Sequence, residues 1–413
     1  MKKRIPAVFF TGAGATRADP ISLPTMKEFF QRIMDENRVP KSPRIRDREY
    51  FKFIFDTLYG EDTNYDLERV MGALYELAGF TDNDCWKIFH NPEILENIMN
   101  KIKQSQYSGL MHTSGVQHPI ENARNLIKVA IDETHDKYKE AAKRLIFDLE
   151  WIIRETYEEI PNEHIRAVYE PLVEILIKNA IECDEEMAPL IPFFTTNYDM
   201  SIDWFFQPYH DKDITTQEEW ERQYNKNIKF IDGFAKRGWD TREYTSLDEN
   251  STDSIFIPYF KLHGSLYWEK VAGRIKVGTN TANDPHNPRD LMIVYPSDKK
   301  ILYDEPYHFN HRSLDSYLKR TDNLFIVGFS FRDPGLVRSF ETALLDNENL
   351  NIFVICPEFN EDYFPEMAKF FNQPRVIPLY GYFGTAETND QIASQLSLRL
   401  MDKRLKIMNS PLV

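Results

Sequence analysis

The chain has 413 residues, with 50 Lys and Arg against 65 Asp and Glu, so its formal net charge at pH 7 is −15. This length is enough for a large core and for two domains, or for one domain with a large insertion. The acidic balance argues against an extensive nucleic-acid-binding surface, which is usually basic, and no apolar run approaches the length of a membrane span.

The cysteines Cys85, Cys183 and Cys356 lie far apart and form no C-x-x-C pair. This spacing supports neither a cysteine zinc ribbon nor a disulfide framework. Residues 1–4, of which the last three are basic, lead into an apolar segment that is typical of a strand rather than of a signal peptide. We therefore expect a cytoplasmic protein that needs no metal.

The first predicted element is a strand that runs directly into a glycine loop. Residues 8–10 are a continuous apolar run, as a strand covered on both faces requires. Gly12 and Gly14 allow a tight turn and close approach of a ligand, and the start of the following helix can hold a pyrophosphate. Arg17 stands where the dinucleotide fingerprint has its third glycine. The loop is therefore compatible with a nucleotide site, but also with a strand–turn–helix joint without a ligand, and it argues against an ordinary dehydrogenase.

From about residue 26 to residue 188 the apolar residues recur at helical spacing, with few strand signals between them. Examples are Phe29, Phe30 and Ile33 in the first helical pattern. We interpret residues 36–187 as a mostly helical insertion.

Strand signals return after this region and alternate with helical patterns. The predicted strands lie at residues 190–194, 228–231, 255–262, 291–295, 324–327 and 352–355, and the helical patterns at 307–320 and 336–345. This alternation predicts an α/β fold, a Rossmann-like parallel sheet with helices on both faces. We expect a discontinuous sheet domain of residues 1–35 and 188–385, followed by a C-terminal helix in residues 386–413.

Polar residues follow three of the predicted strands directly, where ligands of open parallel sheets bind. They are residues 195–199, His263 with Gly264, and Gly328 with Ser330. Each has a simpler explanation when it is taken alone. Asn197 and Asp199 are suited to cap a helix near residue 201, His263 to form an ordinary hydrogen bond, and Gly328 to end a strand. Together with the first glycine loop, they predict one crevice at four strand ends.

These segments, in this order, resemble the motifs of the sirtuin family: an opening glycine loop, a T-Q-N-I-D stretch, a catalytic H-G and a G-T-S. Here they are residues 12–15, 195–199, 263–264 and 328–330. The neighbouring segments 266–268, 295–297 and 330–334 are similar to SIR2-like domains of bacterial antiphage defence proteins rather than to deacetylases. The resemblance covers residues 5–35 and about 188–385.

The departures from the sirtuin pattern affect substrate choice. Thr196 replaces the usual glutamine and Tyr198 replaces the usual isoleucine. The arginine expected after the Pro and Phe that follow the glycine loop is missing, and residues 23–27 (LPTMK) stand there. Three scattered cysteines cannot supply the four-cysteine zinc module of the deacetylases. The resemblance therefore implies binding of NAD and cleavage of its nicotinamide bond rather than recognition of an acetyl-lysine peptide.

The resemblance also implies roles for individual residues. His263 is the candidate base, acting on a ribose hydroxyl or on water, and Asn197 is expected to hold the ribose or that water. Asp199 is expected to bind the nicotinamide carboxamide. The remaining NAD-binding candidates are Gly12, Ala13, Gly14 and Ala15 at the pyrophosphate, Gly328 and Ser330 at the adenosine half, and Thr195.

We therefore expect an NAD hydrolase that acts as a gated effector of antiphage defence by NAD depletion. It is expected to form a homo-oligomer and to work with a HerA-like hexameric ATPase or another phage-sensing protein. Three alternatives remain open at this stage: an NAD-dependent deacylase, a nuclease component of a defence complex, and a catalytically silent NAD or ADP-ribose sensor. The missing cysteines argue against the first, and the acidic charge against the second. The third would use the same binding residues.

Overall fold

The computed structural model describes residues 3–35, 39–59, 70–71, 73–74, 78, 120–157, 160–182, 187–206, 221–235, 238–271, 274–277, 291–293, 305–357 and 365–408. It divides into two compact units. The first comprises Met1–Leu23, Tyr157–Ile293 and Asp304–Val413, and the second comprises Pro24–Thr156 and Val294–Tyr303. The domain boundaries expected from the sequence stay a prediction. Cys85, Cys183 and residues 295–297 lie outside the described residues.

The second unit is helical where the structure describes it. It contains α1 (Met26–Ile33), α2 (Arg48–Tyr59) and all but the last residue of α3 (Ile120–Tyr157). A capping box starts α1, because the backbone amide of Thr25 donates to the Glu28 carboxylate at 2.8 Å while the Thr25 hydroxyl accepts from the Glu28 amide at 3.4 Å.

The first unit is built on a seven-stranded sheet in which every pairing is parallel. Its strands are β1 (Val8–Thr11), β2 (Phe193–Thr195), β3 (Asn227–Ile231), β6 (Ser254–Lys261), β10 (Asn323–Val327), β11 (Asn351–Cys356) and β12 (Val376–Tyr380). Their order across the sheet is β12-β11-β10-β1-β2-β6-β3. The α/β fold with a parallel sheet is confirmed.

Helices and short strands surround this sheet. The helices are α4 (Asn162–Glu182), α5 (Ser201–Phe206), α6 (Arg242–Thr245), α7 (Tyr307–Leu318), α8 (Pro334–Asp346), α9 (Pro365–Phe371) and α10 (Ala386–Met408). The remaining strands are the antiparallel pair β4 (Phe234–Ala235) and β5 (Gly238–Trp239), and a three-stranded antiparallel sheet of β7 (Gly264–Val271), β8 (Arg274–Val277) and β9 (Leu291–Ile293).

Aromatic side chains cover both faces of the parallel sheet. On one face the ring of Phe10 lies 5.2 Å from the rings of Phe329 and Phe340, and Phe340 belongs to α8. On the other face the ring of Phe9 lies 6.3 Å from that of Phe383, which contacts Tyr169 of α4 at 5.6 Å. Consecutive residues of a strand point to opposite faces, so the apolar run at residues 8–10 serves both faces, as its sequence predicts.

Several strands differ from expectation, and β4, β5, β7 and β8, all outside the parallel sheet, were not predicted. The predicted strand at residues 291–295 forms β9, but it pairs antiparallel with β7 outside the parallel sheet. The edge strand β12 was not predicted from the sequence, because Pro378 interrupts its apolar pattern. Proline is tolerated at the edge of a sheet, where its missing N–H costs no ladder hydrogen bond.

Two further findings concern the sequence expectations on membranes and cysteines. Across the part of the chain that the structure describes, no helix is both long enough and apolar enough to cross a membrane. Cys356, at the end of β11, is a free and buried thiol, and burial raises its pKa to about 11.

We predict that Phe10→Ala lowers the free energy of unfolding by about 3–5 kcal/mol, because it leaves a cavity against Phe329 and Phe340. Phe10 is 0% exposed, whereas Leu345 on α8 is 82% exposed. Leu345→Ala is therefore the control, expected to change stability by less than about 0.5 kcal/mol. Chemical denaturation followed by circular dichroism measures both, and equal shifts of the two midpoints would contradict this account of the core.

Candidate functional site

The polar segments singled out in the sequence follow four adjacent strands of the parallel sheet. The strands β10, β1, β2 and β6 are consecutive in the sheet order. The chain places β2, β6 and β3 on one side of β1 and then returns to place β10 on the other side. The carboxyl ends of β1 and β10 therefore form a topological switch point, which is where open α/β sheets bind ligands.

Three glycines allow the loops after β1 and β10 to meet at this switch point. A Cβ atom on Gly12 would lie 2.7 Å from the Gly328 carbonyl oxygen, and one on Gly14 would lie 2.7 Å from Gly328 Cα. Gly328 itself has φ of +62°, and a Cβ there would lie 2.1 Å from the Ala15 nitrogen. The glycines are thus required for backbone packing between two loops, in addition to any ligand contact.

The hydrogen bonds within and beside the glycine loop limit the number of its backbone amides that are available to bind an anion. The amides of Gly12, Gly14 and Ala15 donate to the carbonyl oxygens of Val327, Gly328 and Gly12, at 2.8, 2.8 and 2.9 Å respectively. Among these four loop residues, Ala13 has the one amide that finds no acceptor within the described residues. A pyrophosphate at this loop would therefore be bound through Ala13 rather than through all four amides.

Ser330 is placed by the aromatic residues on either side of it. Phe329 and Phe331 are 7% and 2% exposed, and their rings lie 5.1 Å apart. Phe331 adopts a positive φ of 58°. This turn anchors both neighbours in the core and leaves Ser330 partly exposed beside Gly328.

Thr195 links the ends of β1 and β2. The Thr11 hydroxyl donates to the Thr195 hydroxyl at 2.9 Å, and Thr195 Oγ1 also accepts from the Asn197 amide at 3.0 Å. Thr195 is 1% exposed. Its hydroxyl is therefore engaged within the protein, where it starts the loop that carries Asn197.

Asn197 presents a buried acceptor without a protein partner. The residue is 8% exposed, and its Oδ1 forms no hydrogen bond within the described residues. Buried polar atoms nearly always have a partner. An unpaired carbonyl oxygen at a strand end fits a ligand that brings a hydroxyl or N–H donor.

Asp199 serves the start of α5. One of its carboxylate oxygens, Oδ1, accepts from both the amide and the hydroxyl of Ser201, the amide at 2.9 Å. The helix-start explanation that the sequence left open is thus realised for Asp199.

His263 is paired with a carboxylate that the sequence analysis did not assign a role. Its Nε2 lies 3.2 Å from Asp333 Oδ2, and the two residues are 2% and 7% exposed. Asp333 Oδ1 accepts from the amides of Gly335 and Leu336 at 2.9 and 3.1 Å, which caps α8. A tautomer with the proton on Nε2 donates to Asp333 and leaves Nδ1 as the basic nitrogen. An aspartate before a helix-starting proline was the available sequence signal.

Lys261 is a second residue that sequence reasoning missed. Its side chain is 1% exposed, and its Nζ lies 3.0 Å from Asp203 Oδ2. The Tyr259 hydroxyl donates to the same carboxylate oxygen at 3.2 Å. Burial raises the pKa of Asp203, and the neighbouring Lys261 ammonium opposes that rise. A lysine inside an apolar strand pattern was the signal, because a fully buried lysine is nearly always paired.

Within the ranges that the structure describes, no three His, Cys, Asp or Glu side chains lie together as a candidate metal site.

The comparison with curated proteins found no match. Among solved structures, the chain is similar to one described as "Structural Basis for the Mechanism and Regulation of Sir2 Enzymes", at 12% identity and a TM-score of 0.30, over 97% of this chain and 94% of that one. A TM-score this low supports no conclusion. The comparison with protein families carries more information: residues 192–376, which contain Asn197, His263 and Asp333, match the family described as the SIR2-like domain.

Proposed function

We propose that the chain is an NAD hydrolase that cleaves the nicotinamide–ribose bond and releases nicotinamide and ADP-ribose. The observation that carries this proposal is the buried His263–Asp333 pair after the end of β6, beside the loop after β2, where Asn197 Oδ1 has no hydrogen-bond partner within the described residues. Both features lie in the segment that matches the SIR2-like domain family.

The reaction does not need a general acid to protonate the leaving group. Nicotinamide already carries positive charge in NAD, so it departs as a neutral molecule without being protonated. The site has to stabilise an oxocarbenium-like ribose and orient a water molecule, as in glycoside hydrolysis. In this proposal His263 Nδ1 accepts a proton from that water, directly or through a ribose hydroxyl. Asp333 keeps the imidazole in place and stabilises the imidazolium that forms, as the aspartate of a catalytic triad does.

In this proposal, different residues bind different parts of the NAD molecule. Asn197 Oδ1 accepts a hydrogen bond from a ribose hydroxyl or from the attacking water. Asp199, with Oδ1 committed to Ser201, offers its other carboxylate oxygen to the nicotinamide carboxamide. The loop of residues 12–15 meets the pyrophosphate through the Ala13 amide, and Ser330 with Gly328 meets the adenosine half. Thr195 acts through the loop that it starts.

The biological role proposed here is a gated effector of antiphage defence in the cytoplasm. A constitutive NAD hydrolase would deplete its own cell, so activity has to depend on a trigger. The helices of the second unit offer surface for self-association, which usually produces a closed symmetric assembly. A HerA-like ATPase or another phage-sensing protein is the proposed partner, on the strength of the motif resemblance.

We predict that His263→Ala and Asn197→Ala each reduce nicotinamide release by ~10²–10⁴-fold, because they remove the base and the group that holds its target. Chromatographic assay of nicotinamide, at saturating NAD, measures this. Leu345→Ala, exposed on α8, is the matched control and should retain full activity. Retention of most activity by either site variant in a folded preparation would refute the assignment. Tight NAD binding by the wild-type chain without nicotinamide release, alone or with its partner, would identify a sensor instead.

Asp333→Asn separates the two roles of Asp333. Asparagine also caps helices well, so we expect the denaturation midpoint to change little. We expect turnover to fall by ~10²-fold or more, because a neutral amide cannot stabilise the imidazolium. An unchanged turnover rate would show that Asp333 acts as a helix cap and not in catalysis.

Zinc removal should not affect the reaction. We predict that treatment with a strong chelator, followed by metal analysis, leaves turnover unchanged, because the catalytic steps proposed here use side chains alone. Stoichiometric zinc whose removal stops turnover would require a different mechanism.

A further inference from the structure

We propose that Lys261 is a positioning residue of the NAD-cleaving site, because its buried ammonium anchors the loop that carries Asn197. The anchoring itself rests on the structure alone, and the effect on turnover rests on the proposed function.

The ammonium group of Lys261 has three acceptors around it. It donates to the backbone carbonyl of Asp199, lies 3.5 Å from that of Asn197 and lies 3.0 Å from the Asp203 carboxylate. A lysine ammonium has three N–H donors. Two of the three acceptors therefore belong to the backbone of the loop between β2 and α5, and one belongs to α5.

The ion pair with Asp203 does not by itself explain why a lysine is buried at position 261. A buried ion pair contributes little net stability compared with apolar residues of the same volume. The distinctive feature is the pair of backbone carbonyls on either side of Tyr198. They belong to the residues that carry the two predicted substrate contacts of this loop.

Asn197 depends on its backbone for placement. Its Oδ1 has no protein partner within the described residues, so no hydrogen bond at that atom holds the side chain. The loop is also held by the bond from the Asn197 amide to Thr195 Oγ1, by the bond from the Leu266 amide to the Tyr198 carbonyl, and by the Asp199–Ser201 contact. Lys261 adds the contacts at the carbonyl oxygens of Asn197 and Asp199.

The same residue links this loop to His263. Lys261 is the last residue of β6, two positions before His263. Its carbonyl accepts from Asn310 Nδ2 at 2.8 Å, which fixes the end of the strand. One strand end thus sets the position of the base through the chain and that of Asn197 through the ammonium.

The test is the double variant Lys261→Met/Asp203→Asn. Replacing lysine alone would leave a buried carboxylate without its cation, so the second change removes that charge. We expect a folded protein whose kcat falls by ~10²-fold, the effect of a displacement of about 1 Å in a reacting group. We also expect faster deuterium exchange at the amides of residues 196–201.

Lys229→Met is the matched control. Lys229 is exposed on β3, the strand beside β6, and lies over the ring of Phe256. It should leave kcat and the exchange of residues 196–201 unchanged. If the methionine double variant does not fold, Lys261→Gln/Asp203→Asn carries the same comparison, with intermediate exchange and turnover expected because the shorter amide reaches fewer of the acceptors.

The outcomes separate this inference from the proposed function. A folded double variant with wild-type kcat would overturn the positioning role, whether or not exchange changes. Unchanged exchange would overturn the anchoring. If the wild-type chain releases no nicotinamide, alone or with its partner, the proposed function fails, and the exchange measurement still decides whether Lys261 anchors the loop.

Discussion

The contact between the loops after β1 and β10 constrains the rest of the site. Their backbones approach so closely that a Cβ atom on Gly12, Gly14 or Gly328 would overlap the other loop. This contact holds the two halves of the sheet topology together at the switch point. The amides of Gly12 and Gly14 donate across this contact and that of Ala15 donates within its own loop, so an anion there would depend on Ala13 and on what the second loop contributes through Ser330.

A second set of interactions fixes the other strand ends, and its members are buried and polar. Thr11 joins Thr195 across β1 and β2, and Lys261 ties the end of β6 to the loop after β2. Such groups are costly to bury unless they are paired. The Oδ1 atom of Asn197, on the loop that these contacts hold, has no protein donor within the described residues. It is therefore suited to accept from a ligand that brings a hydroxyl or N–H donor.

Local pattern was enough to predict the sheet and the four polar strand ends, because buried parallel strands are continuous apolar runs and motifs follow them directly. The local pattern could not predict which residues from distant segments pair in the folded structure. Asp333 lies 70 positions from His263 in the chain, and nothing in either segment indicates that they meet. The sequence predicted a tight backbone turn at Gly12 and Gly14. It did not predict that the backbone packed against them would be that of Gly328. The edge strand β12 is apolar but carries Pro378, which a strand tolerates at a sheet edge and which obscures the strand pattern in the sequence.

The two oxygens of Asp333 connect the fold with the proposed chemistry. Oδ1 binds the first free amides of α8, where the helix dipole favours negative charge. The other oxygen, Oδ2, faces Nε2 of His263. In the proposed mechanism the imidazole takes a proton at Nδ1, and the Asp333 carboxylate, 3.2 Å from Nε2, would balance the resulting charge. A helix start that any aspartate could cap would thereby acquire a second function, because β6 ends where this carboxylate can reach the histidine.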